Sequence, residues 1–272
     1  MPPAGKILVV IPAYNEEESL PGVLNEVRGL GLDLDILVVD DGSRDRTSEI
    51  ARAAGVRVAR LPFNQGYGAA VQTGMMAAYE DGYAICVLLD ADGQHDLRFI
   101  PQLVAALADG KADLALGSRF LGTADYSIPL ARRAGMSVFS RITSKITGQK
   151  ITDPTSGFQA IGRGCLKFFI TDNYPADFPD ADTLIRLHFA GFRIQEIPVV
   201  IRPRLKGVSM HSGLKTLYYI YKMFFSIFIA LLQKDSLKKE GSHALEHQNR
   251  DRGGELDRAD RHHQPGPKKK IG

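Results

Sequence analysis

The sequence predicts an α/β protein whose doubly wound, mostly parallel sheet is flanked by helices. Short apolar runs at residues 6–11, 35–40, 84–90 and 112–118 are typical of strands buried in a parallel sheet. These runs alternate with segments whose apolar residues recur at helical spacing. Polar residues follow the runs, and ligands of such sheets bind beyond the carboxyl ends of the strands. The polar strand ends are therefore the predicted binding site.

Four helices are predicted to follow the strands in order. The first begins near Glu16, and the second begins near Asp45 or Arg46 and ends at Gly55, a residue type common just after helices. The third covers about residues 66–79 and the fourth about residues 99–107. Crossovers between parallel strands are right-handed, which brings the polar strand ends to one edge of the sheet.

Length, charge and cysteine content limit the class of protein. The chain has 272 residues, of which 44% are hydrophobic, so it is long enough for one sizeable core. The formal net charge of only +3 argues against a nucleic-acid partner. Cys86 and Cys165 lack paired spacing, which excludes a disulfide framework and a zinc site. The first apolar stretch is too short for a signal peptide, so a cytoplasmic location is expected.

Two further segments follow the predicted domain at residues 1–212. Residues 213–233 contain an aromatic-rich apolar stretch that is shorter than the roughly 20 residues of a membrane span. This segment is expected to lie peripherally on the cytoplasmic face of a membrane, or to pack in a core or a dimer interface. Residues 234–272 contain few large apolar side chains and are predicted to be a disordered polar tail.

The stretch LLDADGQHD, residues 88–96, places Asp90 and Asp92 where an apolar run stops. In an extended segment, residues two apart face the same way, so these carboxylates would repel each other unless a cation lies beside them. Mg²⁺ or Mn²⁺, also bound by the amide oxygen of Gln94 and by substrate phosphates, would remove the conflict. The alternative is an Asx turn in which Asp92 caps the following helix.

Seven motifs in the same order resemble the family 2 glycosyltransferases of the GT-A fold. They are IPAYNEEESL, VVDDGSRDRT, NQGYGAAVQTGMMAA, LLDADGQHD, LGSRF, ITDPTSGFQA and RPRLKGVSM, and the resemblance covers about residues 6–232. The most similar branch includes dolichol-phosphate mannose synthases and bacterial polyprenyl-phosphate glycosyltransferases.

The resemblance implies a donor site that can be assigned position by position. The positions that match binders of the nucleotide base and ribose are Pro12, Tyr14, Glu16, Val39 and Asp41. Asp90, Ala91 and Asp92 match the DxD element that contacts the nucleotide-sugar. The metal ligands for Mg²⁺ or Mn²⁺ are then expected to be Asp92, Gln94 and Asp90.

Further positions are implied on the phosphate and acceptor side. Arg119 and Arg204 match arginines that clamp the diphosphate or the acceptor phosphate. Met210 stands where many lipid-phosphate enzymes have a lysine. Related enzymes have an acceptor-side acid at the segment that here contains Asp177, Asp180 and Asp182, of which Asp182 is the predicted catalytic residue. A role for Asp182 at a helix N-terminus fits this segment equally well.

The resemblance implies an inverting, metal-dependent transferase that moves a sugar from a UDP- or GDP-sugar to a polyprenyl phosphate. One alternative is transfer to a hydroxyl acceptor in the synthesis of cell-surface polysaccharide or glycolipid, which would require a carboxylate as base. A second alternative, of another class, is a nucleotide-binding module without catalysis. Its best support, GYGAAV at residues 66–71, is a poor dinucleotide fingerprint because Val71 replaces the third glycine.

Overall fold

The computed structural model describes residues 5–121, 130–175, 180–202 and 214–246. Its strands are β1 (Ile7–Ala13), β2 (Asp35–Asp40), β3 (Arg57–Arg60), β4 (Ile85–Leu88), β5 (Leu114–Ser118), β6 (Gln159–Gly162) and β7 (Ile194–Pro198). Within the described residues they form one sheet in the order β3-β2-β1-β4-β6-β5-β7. In this sheet of described residues, β6 runs antiparallel to both of its neighbours, β4 and β5. The other pairs of neighbouring strands are parallel. The predicted mostly parallel α/β architecture is confirmed.

The helices connect the strands and complete the domain. They are α1 (Leu20–Gly29), α2 (Thr47–Ala53), α3 (Tyr67–Glu80), α4 (Ile100–Ala108), α5 (Leu130–Thr147), α6 (Arg163–Phe168), α7 (Ala181–Phe189) and α8 (Leu214–Leu232). Residues 234–246 form a further helix, α9. The second, third and fourth helices lie close to their predicted positions.

Helices cover both faces of the sheet because alternate residues of a strand point to opposite sides. In β1, Val9 and Ile11 belong to one core together with residues of α1 and α4. Leu8 and Val10 belong to a second core together with residues of α3 and α6. All four side chains are completely buried, so β1 is a rigid platform between the two cores.

Two boundaries near the strand ends differ from the prediction. β4 ends at Leu88 and the chain turns at residues 91–93, so Asp90 and Asp92 do not lie on an extended strand. α1 begins at Leu20 rather than near Glu16, because the backbone before it bonds to side chains of the loop after β2. Both differences come from local polar contacts that compete with regular structure.

Three strands were not among the predicted apolar runs. β3 and β7 are at the two edges of the sheet and are partly exposed, so their sequences RVAR and IQEIP contain no continuous apolar run. β6 has only four residues. Partly exposed edge strands and very short strands lack the continuous apolar run by which buried parallel strands are recognised in a sequence.

The chain after α8 differs from the predicted disorder. In α9, Leu237 and Ala244 are buried in the same core as α3. Gly241 lies on the same face, and a Cβ there would be 2.5 Å from the Cα of Ala190, which follows α7. The prediction was wrong for residues 234–246, because a few small or apolar residues at helical spacing allow a polar segment to pack. Residues 247–272 are outside the described part of the chain.

α8 has one buried face and one exposed apolar face. Met223, Ile227 and Ala230 are buried and pack with residues of α5 and α7. Among the α8 side chains that the structure describes, at residues 220–232, the exposed large apolar ones are Tyr221, Phe224, Phe225, Phe228, Leu231 and Leu232. Among the helices of the described residues, none has the length and apolar character to cross a bilayer. The part of α8 whose side chains are described, residues 220–232, therefore has an exposed apolar face.

Candidate functional site

The ends of β1 and β2 lie side by side. Pro12 pairs with Val39 in the register of the two strands, and the N–H group of Asp41 donates to the carbonyl oxygen of Ala13 at 2.9 Å. Val39 is completely buried in the core, so its backbone is the part that reaches the predicted nucleotide site. Tyr14 is 41% exposed and lies just beyond the strand.

Three consecutive N–H groups after β1 bond to side chains after β2. The pairs are Asn15 to Ser43 at 2.9 Å, Glu16 to Thr47 at 2.9 Å and Glu17 to Asp45 at 3.1 Å. Asn15 has a φ of 56°, a left-handed conformation that asparagine tolerates better than most residues. These bonds fix the two loops against each other and hold Glu16 beside the start of α2.

Asp41 is held at the start of α3. Its Oδ1 and Oδ2 accept the N–H groups of Gln65 and Gly66 at 2.7 and 2.9 Å. Burial raises the pKa of Asp41 above its ordinary value, and the two backbone hydrogen bonds oppose this effect. The carboxylate therefore fixes the loop between β3 and α3 at the edge where the nucleotide is predicted to bind.

Asp90 is held by a tyrosine and a histidine. Its Oδ1 accepts the hydroxyl of Tyr67 at 3.0 Å, and its Oδ2 is 3.8 Å from Nε2 of His95. The N–H group of Asp90 donates to Nδ1 of the same histidine at 3.3 Å. Burial, and then the nearby Asp90, raise the pKa of Tyr67 well above its ordinary value, so its hydroxyl stays a donor.

Gly157 closes this part of the site from the loop before β6. A Cβ at residue 157 would be 3.0 Å from the hydroxyl of Tyr67 and 3.2 Å from Oδ2 of Asp90. The next residue, Phe158, stacks on His95 with ring centroids 4.8 Å apart. Only a residue without a side chain fits such a close approach without moving these groups.

The turn after Asp90 forms the predicted Asx geometry. Asp92 Oδ1 accepts the N–H group of Gln94 at 3.0 Å, whereas the cap of the short helical turn that follows is Asp96. The side-chain nitrogen of Gln94 donates to the carbonyl oxygen of Arg202 at 3.3 Å. This hydrogen bond uses the side-chain nitrogen of Gln94. The side-chain oxygen of Gln94 is the atom suited to bind a cation.

The donor set of this turn fits a hard divalent ion that is shared with a diphosphate. Among the described residues, no three histidine, cysteine or acidic side chains are grouped as a metal site. Asp90, Asp92 and Gln94 nevertheless bring two carboxylates and an amide to one turn. Mg²⁺ and Mn²⁺ favour such oxygen ligands, and Mg²⁺ is usually held by one or two carboxylates together with substrate phosphates and water. The chemistry of the turn is therefore suited to the predicted cofactor.

Arg119 follows β5 and is paired with a buried acid. Its Nε and one terminal nitrogen each donate to a different oxygen of Asp153 at 2.6 Å, and Asp153 is completely buried. Burial alone would lower the pKa of Arg119, but the hydrogen bonds to Asp153 raise it above its ordinary value. Contact of Arg119 with a phosphate remains a prediction, since Asp153 already occupies two of its donors.

Asp182 lies in the first turn of α7 and is completely buried. Its Oδ2 accepts the hydroxyl of Ser226 from α8, and burial raises its pKa above the ordinary value. This position fits the alternative role at a helix N-terminus and gives no support to the predicted catalytic role. Asp180 directly precedes α7.

Some predicted residues cannot be placed, and others were not predicted at all. Arg204, Met210 and Asp177 lie outside the described residues. Tyr67 and Gly157 contact Asp90 but were not predicted as site residues. The signal for Tyr67 was its position directly after Gly66 in NQGYGAAV, at the start of a helix that faces the strand ends.

Comparison with known sequences places the chain among sugar transferases. The family model described as Glycosyl transferase family 2 matches residues 8–169. An undecaprenyl-phosphate mannosyltransferase of Micrococcus luteus is 35% identical over 220 residues, which are 76% of this chain and 88% of that protein. A polyprenol monophosphomannose synthase of Mycolicibacterium smegmatis is 33% identical over 221 residues, which are 78% of this chain and 83% of that protein.

Comparison with solved structures agrees with this fold. Glucosyl-3-phosphoglycerate synthase from Mycobacterium tuberculosis, solved with Mn²⁺, uridine diphosphate and glucosyl-3-phosphoglycerate, superposes with a TM-score of 0.61. The superposition covers 85% of this chain and 80% of the other, at 22% identity. At this identity the likeness concerns the fold, which is the GT-A architecture that the motifs predicted.

Proposed function

The chain belongs to glycosyl transferase family 2, and from this premise we propose that it transfers a sugar from a UDP- or GDP-sugar to a polyprenyl phosphate. The observation that carries the proposal is the likeness to two enzymes named for polyprenyl-phosphate substrates, each over about three quarters of the chain. Each alignment is longer than the stretch of chain that ends with β5, so the likeness includes residues after β5 as well.

The residues at the strand ends suit a negatively charged donor that contains a diphosphate. Asp90, Asp92 and Gln94 would hold Mg²⁺ or Mn²⁺, which would supply positive charge against the leaving diphosphate. Arg204 is proposed to clamp a phosphate from the acceptor side, where a planar guanidinium can form two parallel hydrogen bonds. Arg119, which Asp153 holds in place, is proposed to donate a hydrogen bond to a phosphate of the donor or of the acceptor.

The nucleoside is proposed to lie over β1 and β2. Tyr14 is exposed there, Asp41 is fixed by the start of α3, and Pro12 with the backbone of Val39 forms the floor. Glu16 is held at the mouth of the same pocket by its bond to Thr47. Ala91, which is nearly buried, would line the pocket between the two acids of the metal turn.

A phosphate acceptor needs no general base, and this is consistent with the buried position of Asp182. A phosphate monoester has a second pKa of about 6, so a polyprenyl phosphate is largely ionised at neutral pH and needs no general base. An oxygen of the acceptor phosphate attacks the anomeric carbon of the sugar while the bond to the nucleoside diphosphate breaks, which inverts the configuration. A hydroxyl acceptor would need a base, and the predicted base is buried against Ser226.

The exposed face of α8 is proposed to rest on the cytoplasmic surface of the membrane that contains the acceptor. Aromatic side chains such as Phe225 and Phe228 are 53% and 54% exposed and suit the boundary between headgroups and acyl chains. Lys238 and Lys239 are exposed on the helix that follows and would favour anionic lipids.

The test is a transfer assay with the full chain. Labelled UDP- and GDP-sugars are each incubated with a short polyprenyl phosphate or with the corresponding polyprenol, in Mn²⁺, in Mg²⁺ or in EDTA. The expected product is a sugar joined to the phosphate of the lipid, identified by mass spectrometry, formed with the metals and lost in EDTA.

Two other results would support the competing functions. Transfer to the polyprenol but not to its phosphate would favour the hydroxyl-acceptor alternative. Tight binding of a nucleotide-sugar with no transfer to either lipid would favour a non-catalytic module. Undiminished transfer in EDTA would overturn the metal requirement and leave the acceptor assignment intact.

A further inference from the structure

Three consecutive residues at the start of α3 connect two carboxylates that follow different strands. The N–H groups of Gln65 and Gly66 donate to the two oxygens of Asp41, which follows β2. The hydroxyl of the next residue, Tyr67, donates to Oδ1 of Asp90, which follows β4. Since β1 lies between these strands, residues 65–67 join the nucleoside side of the site to the metal turn.

We propose that Tyr67 is a positioning residue, which holds Asp90 in the orientation that binds the divalent cation and aligns the metal turn with the nucleoside pocket. This inference rests on the proposed function and assigns a role within it. Tyr67 donates to Oδ1 of Asp90 and His95 lies 3.8 Å from Oδ2, so these two side chains together fix the plane of the carboxylate. Hydrogen-bond partners that orient a metal ligand commonly change metal affinity by 10- to 100-fold when they are removed.

The packing around this hydrogen bond leaves little freedom to either partner. Gly157 lies so close that a Cβ there would be 3.0 Å from the Tyr67 hydroxyl. His95 faces the other oxygen of Asp90 and is itself stacked on Phe158. Without the tyrosine hydroxyl, Oδ1 of Asp90 loses this donor and the carboxylate can rotate away from its ligand-binding orientation.

A second tyrosine provides a matched control. The hydroxyl of Tyr83 donates to Oδ2 of Asp35 at 2.7 Å, and Asp35 is the first residue of β2. This hydrogen bond is of the same chemical kind but lies at the amino end of the strands, away from the predicted site. Tyr83→Phe therefore reports what the loss of a tyrosine-carboxylate bond does to the fold alone.

The test measures Mn²⁺ binding as well as turnover. Free Mn²⁺ is titrated by electron paramagnetic resonance with the wild-type chain, Tyr67→Phe and Tyr83→Phe, first without nucleotide and then with UDP or GDP. Tyr67→Phe is expected to raise the Kd for Mn²⁺ about tenfold or more and to raise the KM for the donor, with an unchanged KM for the acceptor. Tyr83→Phe is expected to change none of these values.

The outcomes separate this inference from the function on which it rests. If the wild-type chain binds no Mn²⁺ even with nucleotide, the metal-dependent function fails and the inference fails with it. If the wild type binds Mn²⁺ and Tyr67→Phe binds it equally well, only the role of Tyr67 is overturned. If Tyr67→Phe does not fold, Gly157→Ala, which displaces the same hydroxyl, is compared with Gly135→Ala, where a Cβ meets nothing within 4 Å. Equal Mn²⁺ binding by that second pair would also overturn the inference.

Discussion

Gly241 of α9 packs directly on Ala190, the residue after α7, with no space for a side chain between the two backbones. A Cβ at residue 241 would be 2.5 Å from the Cα of Ala190 and closer still to its carbonyl oxygen. Leu237 and Ala244 are buried on the same face of α9. The helix after α8 is therefore part of the domain.

Gly241→Ala is expected to destabilise the protein by about 1–3 kcal/mol, because the added methyl group must push α9 away from α7. The matched control is Gly22→Ala in α1, where a Cβ meets nothing within 4 Å. That change should stabilise the helix by up to about 1 kcal/mol, since alanine is the better helix former. Urea unfolding measures both values, and changes of the same sign would contradict the packing of α9.

Asp92→Ala is expected to lower kcat by about 100-fold or more, because the charge of the leaving diphosphate would lose part of its stabilisation. The fold should be retained, since Asp92 lies in a partly exposed turn. Asp33→Ala, in an exposed loop, is the control and should leave transfer unchanged. Steady-state kinetics and circular dichroism measure the two properties, and full activity of Asp92→Ala would place the metal elsewhere.

Asp182→Asn is expected to keep the transfer rate within about threefold, because the buried side chain serves the contact between α7 and α8. A loss of kcat in a folded variant would instead restore Asp182 as a catalytic residue. The stability of the same variant should also depend on pH differently from that of the wild type, because the wild-type carboxyl group is buried.

Burial raises the pKa of Asp182 in the folded state, whereas an unfolded chain has the ordinary value of about 3.9. The folded protein therefore binds the proton more readily, and ionisation of this group lowers stability as pH rises through the folded pKa. Asparagine carries no such charge. The free energy of unfolding of Asp182→Asn, relative to wild type, should therefore increase as the pH rises above about 4. If this difference in the free energy of unfolding did not change with pH, Asp182 would have the same pKa in the folded and the unfolded chain, which would contradict its burial.

The double variant Phe225→Ser, Phe228→Ser is expected to weaken binding to anionic lipid vesicles by about tenfold or more, because two exposed aromatic side chains no longer enter the lipid surface. Leu32→Ser, an exposed apolar residue between α1 and β2, is the control and should bind as the wild type does. Co-sedimentation with vesicles measures the bound fraction. Equal binding of all three proteins would indicate that the exposed face of α8 does not contact lipid.

The half of the fold that contains β1 and β2 was predictable because its signals are local. β1 and β2 are continuous apolar runs, and the residues that follow them are polar within a few positions. The positions of α2, α3 and α4 followed from apolar spacing and from the glycine after α2. The parallel order of β1, β2 and β4 brings Pro12, Asp41 and Asp90 to one edge of the sheet, whereas Arg204 lies outside the described residues.

The half of the fold after β5 was less predictable because its structure depends on distant contacts. Asp182 looks like an accessible acid in the sequence, and only the packing of α8 shows that it is buried against Ser226. Arg119 donates to Asp153, which is 34 residues away along the chain. Leu237 and Gly241 are isolated in a polar segment, and their role depends on packing against Ala190, which follows α7, and against the core beside α3.

The reversed direction of β6 has a consequence for how this architecture can diversify. β5 ends at Ser118 on the same edge of the sheet where β6 begins at Gln159, because the two strands are antiparallel. The chain that connects β5 to β6 therefore leaves the sheet at this edge and returns to the same edge. Lengthening or replacing this connection would remodel one part of that edge while β1 and β2 stay as they are, so this part of the edge can change without rebuilding the ends of β1 and β2.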